Sequence, residues 1–343
     1  MSKSYNEYNK ITNAKKGMSP ILKFFLGFII VIAILIAVPV FIVWSKVSKV
    51  DYVPIDKEQL AVNSNIYNEV SEELTESEFD DIVTVALFGT DSRDANDMEA
   101  GRADTIMIAS VNPKNKSIKL ISIPRDTYVD VSGYGKTKIN HAYAYGGEQL
   151  TINTINSNFG LNITQYATID FAGLISVIND VGGINLNITK DEMDALNEYL
   201  RESYKVSGNT YTPMTKYGNV TLNGEQALAL SRDRSVGDDF TRADRQRDVL
   251  MALFEKVSKM EKTKIFSLLD SFLAQVKTNV NIASYTGLMT SVVSNMGEYK
   301  DNIISTQIPS AKYSSGEMIS GTYYFVTDID KAKDDFITYL YKK

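Results

Sequence analysis

The chain has 343 residues, 44% of them hydrophobic, and a formal net charge of −6. It contains no cysteine and a single histidine, which excludes disulfides, thiolate catalysis and metal sites rich in cysteine or histidine. A bound metal would need oxygen ligands, which favours magnesium or manganese. The negative net charge argues against nucleic acid as the main partner.

An uncharged apolar segment covers residues 24–44 and reads FFLGFIIVIAILIAVPVFIVW. Its length of 21 residues suffices for one N-terminal transmembrane helix across a cell membrane. The preceding residues 1–23 carry five lysines and one glutamate, which predicts a cytoplasmic tail and an extracellular location for the rest of the chain. The alternative is a cleaved signal peptide, which usually has a shorter apolar core and a small-residue cleavage site.

Residues 45–80 are polar and contain nine aspartates and glutamates, which predicts an acidic stalk between the membrane and a globular domain. Within the predicted domain, residues 81–260, β-branched apolar runs indicate strands at 82–88, 105–111 and 117–123. The turn sequence NPKNK joins the last two strands, so we expect an antiparallel hairpin.

Helices and strands alternate in the rest of the chain. Apolar periodicity and glycine stop signals predict further strands at 163–169, 184–188, 303–308 and 323–327. The same signals predict helices at 148–159, 171–181, 224–231 and 243–260, within 263–276 and 281–297, and from residue 329. This pattern favours an α/β or α+β fold with a central mixed sheet flanked by helices. Residues 261–343 either complete this domain or form a small appended subdomain.

Arginine is scarce and clustered. The chain has nine arginines against 27 lysines, and eight of the nine lie in the windows 93–125 and 232–247. A guanidinium group holds phosphate or carboxylate through two parallel hydrogen bonds, so such clusters indicate an anion site.

In the first window, the loops GTDSR (89–93), GRADT (101–105) and PRD (124–126) adjoin the ends of the first three strands. Antiparallel pairing of these strands would bring the loops to one edge of the sheet. That edge would collect the charged residues Asp91, Arg93, Arg102, Asp104, Arg125 and Asp126. Neighbouring carboxylates repel unless a cation lies near them, so Asp91 and Asp104 are candidate magnesium ligands. Simple ion pairs within the loops are the alternative.

The second window reads SRDRSVGDDFTRADRQRD. Arg232 and Arg234 end one predicted helix, and Asp239 precedes the next, where it would cap the helix or pair with an arginine. Three further residues recur at helical spacing and are expected to share one face: Arg242, Arg245 and Gln246. The alternative is a solvated, charged helix start, which is the interpretation for Arg247 and Asp248.

The ordered motifs GTDSR, GRADT, SIPRD, KINHAYAYGG, LNGEQALALSRDR and DFTRADRQ resemble the LytR-CpsA-Psr family over residues 82–260. Thr241 departs from the pattern, since many members carry glycine there. Members transfer anionic glycopolymers from polyprenyl diphosphate to peptidoglycan. The resemblance implies magnesium near Asp91 and Asp104. It also implies that four arginines bind the diphosphate, namely Arg93, Arg125, Arg234 and Arg242, and that Asp239 is among the polar residues that orient them.

We therefore expect a membrane-anchored, magnesium-dependent phosphotransferase, with manganese as the alternative metal. Its donor would be a polyprenyl-diphosphate-linked glycopolymer and its acceptor peptidoglycan. Two groups of residues carry the expected site: catalytic Arg93, Arg125, Asp126, Arg234, Asp239 and Arg242, and substrate-binding Arg102, Arg232, Arg245 and Gln246. The alternatives are a polyprenyl-phosphate binder without chemistry and a diphosphate hydrolase.

Two further features have open roles. His141 is expected to be a hydrogen-bonded structural residue, with a general base or a group that orients the acceptor sugar as alternatives. Residues 189–220, rich in tyrosine, are interpreted as a glycan-facing loop or as packing residues.

Overall fold

The computed structural model describes residues 51–90, 101–207, 211–232 and 239–342, which belong to one compact unit. The predicted membrane segment, residues 24–44, lies outside these ranges. Within them, no helix combines the length and apolar character that a membrane span requires. The described part of the chain therefore corresponds to the predicted globular region and part of the predicted stalk.

Strands make up the centre of the molecule. In chain order they are β1 (Asp51–Tyr52), β2 (Val83–Thr90), β3 (Ala103–Asn112), β4 (Ser117–Ser122), β5 (Tyr128–Val131), β6 (Gly135–Lys138), β7 (Tyr166–Asp170), β8 (Ile184–Ile188), β9 (Gly218–Leu222), β10 (Val276–Thr278), β11 (Ile303–Gln307), β12 (Ser314–Ile319) and β13 (Thr322–Thr327).

Helices pack around these strands. In chain order they are α1 (Ile66–Val70), α2 (Glu76–Asp80), α3 (Ile139–Phe159), α4 (Phe171–Asp180), α5 (Lys190–Ser207), α6 (Gly224–Arg232), α7 (Asp239–Ser258), α8 (Lys262–Leu273), α9 (Thr286–Ser294), α10 (Met296–Asp301) and α11 (Ile329–Tyr341). The predicted helix at 148–159 begins earlier, at Ile139, and contains non-helical backbone at Gly146 and Gly147.

The central sheet is mixed, as predicted, with the strand order β1-β10-β7-β2-β3-β4-β11. Strand β3 pairs antiparallel with both β2 and β4, which confirms the predicted hairpin. Strand β7 runs parallel to β2, and β11 runs parallel to β4. The carboxyl ends of β2 and β7 therefore lie at the same edge of the sheet as the start of β3.

Each face of the sheet has its own core. Alternation along β2 directs Ala86 and Phe88 to one face, where they pack with residues of α3 and α11. The second core lies among α4, α5, α6, α7 and the β8–β9 hairpin, and it includes Ile178, Leu196 and Leu230. Burial of each large apolar side chain contributes about 1.5–3 kcal/mol relative to exposure, so both layers stabilise the sheet.

The prediction of an acidic stalk is wrong for residues 51–80. Strand β1 pairs with β10 in the central sheet, and the side chains of Leu60, Ile66 and Val70 are fully buried in the first core. Ile66 and Val70 lie one turn apart in α1, Leu60 precedes this helix, and the intervening Glu69 faces solvent. The acidic composition concealed a buried apolar stripe, and the folded domain begins before residue 81.

Residues 261–343 complete the domain, because they supply β10 and β11 to the central sheet and α11 to the first core. The region 189–220 is not mainly a loop, since α5 covers Lys190–Ser207. The side chains of Tyr199, Tyr204 and Tyr211 pack against the second core, and Tyr217 is 59% exposed.

Candidate functional site

The strand ends bring charged side chains together at one edge of the central sheet. Gly89 of β2 pairs with Thr105 of β3 and with Ile169 of β7. Beside this row, Nη1 of Arg125 donates a hydrogen bond to Oδ1 of Asp104 at 2.5 Å. The structure thus places Asp104 and Arg125 at the same edge of the sheet, as the strand geometry predicted, and joins them in an ion pair of the kind given as the alternative.

A β-bulge sets the direction of Asp104. Gly89 pairs with Thr105, but the next residue of β2, Thr90, pairs with Ala103, so Asp104 is the extra residue on β3. A bulge redirects side chains at the end of a ladder. Ala103 is buried in the first core, whereas Asp104 and Thr105 line a cavity on the opposite face.

The cavity lies between the sheet and the helices of the second layer and has a volume of about 310 Å³. That volume falls near the lower end of small-molecule sites, which span roughly 300–1,000 Å³. Its floor is formed by alternate residues of three neighbouring strands: Leu87, Gly89, Thr105, Met107, Ala167 and Ile169. Its walls are apolar side chains of the surrounding helices: Phe171, Leu174, Val177, Leu228, Val249, Leu250, Leu253 and Phe272.

Polar side chains join this apolar lining. Asp104 and Arg125 lie at the sheet edge, and Arg232 at the end of α6 and Gln246 of α7 also line the cavity. The guanidinium carbon of Arg232 lies 4.4 Å from the ring centre of Phe171, the first residue after β7. This cation–π contact holds Arg232 near the same edge of the sheet as Arg125. The cavity is therefore a long apolar space with cationic groups at its charged edge.

Asp126 has a different environment from its neighbour Arg125. Its carboxylate, 7% exposed, accepts from Nζ of Lys138 at 2.7 Å, and its other oxygen lies 3.7 Å from Nε of Arg125. Its backbone carbonyl accepts a hydrogen bond from Phe325 of β13. Asp126 is not among the described residues that line the cavity. These contacts tie Asp126 to Lys138 and to β13, and its catalytic role stays a prediction.

The arginines of the second window differ in their surroundings. Arg245 pairs with Glu192 of α5, which is 4% exposed, and with Asp248 at 3.1 Å. It thus links α7 to α5, and among the described residues it does not line the cavity, whereas Gln246 does. Its role in substrate binding stays a prediction. Arg247 forms an ion pair with Asp244, as expected, but its side chain is only 12% exposed, so the predicted solvated position is wrong for this residue.

Several predicted site residues are only partly covered by the structure. Asp239 and Arg242 belong to the first turns of α7, and position 242 lies one turn before Gln246. The remaining three residues, Asp91, Arg93 and Arg234, lie outside the described ranges.

Arg102 and His141 lie close enough to interact electrostatically, and neither is among the described residues that line the cavity. Nδ1 of His141 is 2.8 Å from Oγ1 of Thr137, a hydrogen bond that suits the expected structural role. Partial burial, followed by the nearby charges of Arg102 and Lys138, lowers the pKa of His141 below its ordinary value of 6.5. The imidazole is therefore neutral at pH 7, and Arg102 contributes positive potential next to it.

Asp170 and Tyr199 also line the cavity, although sequence reasoning did not select them. Asp170 ends β7 opposite Thr90 and caps α4, since its Oδ1 accepts from the backbone N–H of Gly173 at 2.7 Å. The signal was present in the sequence, because an aspartate between a strand and a helix is a helix cap at a strand end. To place this aspartate at the cavity, however, one must know that β7 runs parallel to β2.

Two described carboxylates line the cavity, Asp104 and Asp170, and Asp170 also caps α4. Within the described ranges there is no group of three or more histidine, cysteine, aspartate or glutamate side chains that would hold a metal without help. Magnesium often binds through one or two carboxylates together with water and substrate phosphates. One carboxylate at the edge of an anion site fits this second mode, and the other predicted ligand, Asp91, lies outside the described residues.

Comparisons with known proteins agree on one family. The model of the LytR_cpsA_psr family matches residues 51–338. A polyisoprenyl-teichoic acid–peptidoglycan teichoic acid transferase of Enterococcus faecalis, TagU, is 33% identical over 64% of this chain and 68% of its own length. The solved structure of TagT bound to LIIa-WTA is 25% identical, with a TM-score of 0.61 over 78% of this chain and 94% of that one. The crystal structure of B. subtilis TagV is 31% identical, with a TM-score of 0.58 over 76% and 97%.

Proposed function

Because this chain belongs to the LytR_cpsA_psr family, we propose that it transfers a glycopolymer from a polyprenyl diphosphate carrier to a sugar hydroxyl of peptidoglycan. The cavity is the observation that carries the proposal. Its apolar lining suits a prenyl chain, and the cationic side chains at its edge suit the diphosphate to which that chain is attached. The names of the E. faecalis relative and of the TagT complex support the same substrate class.

The apolar part of the cavity would hold the prenyl chain. Its floor and walls come from sheet and helix residues that are fixed in the fold, including Met107, Ala167 and Leu250. Removal of apolar surface from water contributes about 25 cal/mol per Å², so a buried prenyl chain would provide much of the binding free energy. The prenyl chain would thereby fix the diphosphate at the charged edge.

Arg125 and Arg232 would bind the diphosphate. A guanidinium group has five N–H donors, so Arg125 can hold Asp104 through Nη1 and still donate to phosphate oxygens. Arg232 stacks with its guanidinium on the ring of Phe171 and would contribute positive charge at the diphosphate. Fixed cations of this kind stabilise the negative charge that develops on the phosphoryl group in the transition state.

In the proposed reaction, the hydroxyl oxygen of the acceptor sugar forms a bond to the phosphorus nearest the glycopolymer. The bond between that phosphorus and the bridging oxygen breaks, and polyprenyl phosphate leaves with the bonding electrons. The hydroxyl proton passes to a base at the charged edge. Magnesium, or manganese in its place, would be held by Asp104 and Asp91 and would neutralise charge on the diphosphate.

We also propose that residues 24–44 anchor the chain in the cell membrane with the catalytic domain outside. The support is the uncharged segment and the lysine excess before it. A prenyl diphosphate is itself held in the membrane, so an anchored enzyme would meet its donor within the same surface layer.

A transfer assay with a lipid-diphosphate donor and a peptidoglycan acceptor tests the proposal. We expect Arg125→Ala and Asp104→Ala each to lower kcat/KM at least about 100-fold. Arg201→Ala, which removes an exposed arginine of α5, is the matched control and should keep full activity. Full activity of either site variant would refute the site assignment. Tight lipid binding without turnover would favour a binding protein, and release of free glycopolymer phosphate without an acceptor would favour hydrolysis.

A further inference from the structure

We propose that two stacked tyrosines, Tyr134 and Tyr145, together with His141, form a platform that binds a sugar ring of the substrate beside the diphosphate site. The inference rests on the proposed transfer function, because the sugar belongs either to the lipid-linked donor or to the peptidoglycan acceptor. We call these three residues the tyrosine platform.

Tyr134 is presented at the tip of a rigid hairpin. It lies in the turn between β5 and β6 and is 57% exposed. The glycines on either side, Gly133 and Gly135, have φ values of +82° and +73°, which other residues rarely adopt. The backbone N–H of Tyr134 donates to the carbonyl of Val131 at 2.9 Å. The turn thus holds a large ring in solvent by a backbone conformation that the two glycines make possible.

Tyr145 comes from the first part of α3 and is 45% exposed. Its ring stacks on that of Tyr134, with ring centres 4.2 Å apart and planes within 17° of parallel. His141, one helical turn earlier, lies 5.9 Å from the ring of Tyr145 and is fixed by Thr137. The stack covers one face of each ring. Over half of the Tyr134 side chain nevertheless stays exposed to solvent, and it belongs to none of the apolar cores of the described residues.

The tyrosine platform is connected to the Arg125 segment through the start of α3. The backbone N–H of Asn140 donates to the carbonyl of Arg125 at 3.2 Å, so the start of α3 is bonded directly to the Arg125 segment. From Asn140 to Tyr145 the helix rises about 7.5 Å. The charge of Arg102, two residues before Asp104, acts on His141. The platform is therefore within reach of a sugar whose phosphate lies at Arg125.

The exposed groups suit a sugar ring. A pyranose presents C–H groups on its faces and hydroxyls at its edge, and a tyrosine ring offers an apolar face with a polar hydroxyl. The imidazole of His141 is neutral at pH 7, because its pKa lies below the ordinary value, and adds a hydrogen-bonding group without charge. The platform thus combines apolar surface and hydrogen bonding in the way that a saccharide requires.

The test uses the full-length protein and the variants Tyr134→Ala, Tyr145→Ala and their combination. Tyr134→Phe and Tyr145→Phe keep the rings, and Tyr52→Ala, which removes a tyrosine with 55% exposure, is the matched control. Three probes are titrated: geranylgeranyl diphosphate, the same lipid diphosphate carrying an N-acetylglucosamine disaccharide, and a soluble N-acetylglucosamine oligomer. Thermal unfolding of each variant reports whether the hairpin and helix remain folded.

We expect the double alanine variant to bind geranylgeranyl diphosphate as the wild type does, within twofold. If the platform holds the donor, this variant loses about tenfold in affinity for the sugar-carrying lipid, equivalent to about 1.4 kcal/mol. If it holds the acceptor, the loss appears with the soluble oligomer and in the KM for acceptor. The phenylalanine variants should retain most of the affinity.

Unchanged affinity of the double variant for both sugar probes would overturn the inference. Equal weakening of all three probes would also overturn it, since that result indicates distortion of the Arg125 segment. Failure of the proposed function has a different signature, namely a wild-type protein that does not bind geranylgeranyl diphosphate. The oligomer titration would still decide the platform in that case.

Discussion

Arg125→Ala removes a cation that holds a carboxylate next to the proposed diphosphate site. In the wild type, Nη1 of Arg125 donates to Asp104 at 2.5 Å, and both side chains are largely buried, with 16% and 24% exposure. The substitution therefore has two consequences for an anionic ligand. It removes donors to phosphate, and it leaves the negative charge of Asp104 without its neutralising partner.

The magnitude follows from these two contributions. Loss of a charge-assisted hydrogen bond costs about 1.5–3 kcal/mol. Two charges 4 Å apart interact by about 4 kcal/mol at an effective dielectric constant of 20, and partial exposure of Asp104 reduces this to about 1.5 kcal/mol. Together, about 3–4.5 kcal/mol corresponds to a loss of about 150- to 2,000-fold in affinity. Adding Asp104→Asn to Arg125→Ala should restore about tenfold, because the repulsion is removed.

The assay is a titration of geranylgeranyl diphosphate at fixed ionic strength with EDTA present, so that metal binding to Asp104 does not contribute. Asp104→Asn alone, Arg125→Ala alone and the double variant form a double-mutant cycle. The reasoning is refuted if Arg125→Ala binds within threefold of wild type, or if the double variant binds no better than Arg125→Ala. Transfer activity should stay absent in the double variant, since the proposed metal ligand is lost.

Three further predictions concern the cavity, Arg232 and pH. Ala167→Phe fills the floor, so affinity for long prenyl diphosphates should fall about tenfold while short ones bind normally; a loss independent of chain length would contradict the apolar assignment. Phe171→Ala removes the ring beneath Arg232 and should weaken diphosphate binding about threefold, whereas Phe171→Tyr keeps the ring and the affinity; equal losses would argue against the stack. The lowered pKa of His141 means that the unfolded chain binds more protons, so stability should decrease as pH falls through 6.5. In thermal unfolding, His141→Gln should show a smaller decrease in Tm between pH 7 and pH 5, and an identical decrease would show that other groups cause it.

The sequence alone determined which segments form the centre of the sheet. The β-branched runs and the NPKNK turn were sufficient to predict the β3–β4 hairpin and the location of Asp104 and Arg125 at one edge of the sheet. These predictions succeeded because they depend on local pairing, in which hydrophobic alternation and a short turn fix the register. The motifs also indicated the family, which the family model confirmed.

The tertiary structure decided what depends on contacts between distant segments. Composition alone suggested a stalk, but Leu60 and Ile66 are buried because α3 and α11 cover them, and these helices lie far along the chain. Arg245 and Gln246 are adjacent in sequence, yet one pairs with Glu192 and the other lines the cavity, since the position of α5 determines which helix face is free.

The tyrosine platform illustrates the same division. The glycines around Tyr134 and the spacing of His141 and Tyr145 are visible in the sequence, and they define a turn and a helix face. The stacking of the two rings beside the Arg125 segment depends on how the β5–β6 hairpin folds against α3. Local physics thus determined each element, whereas the packing of distant elements determined which side chains meet at the site.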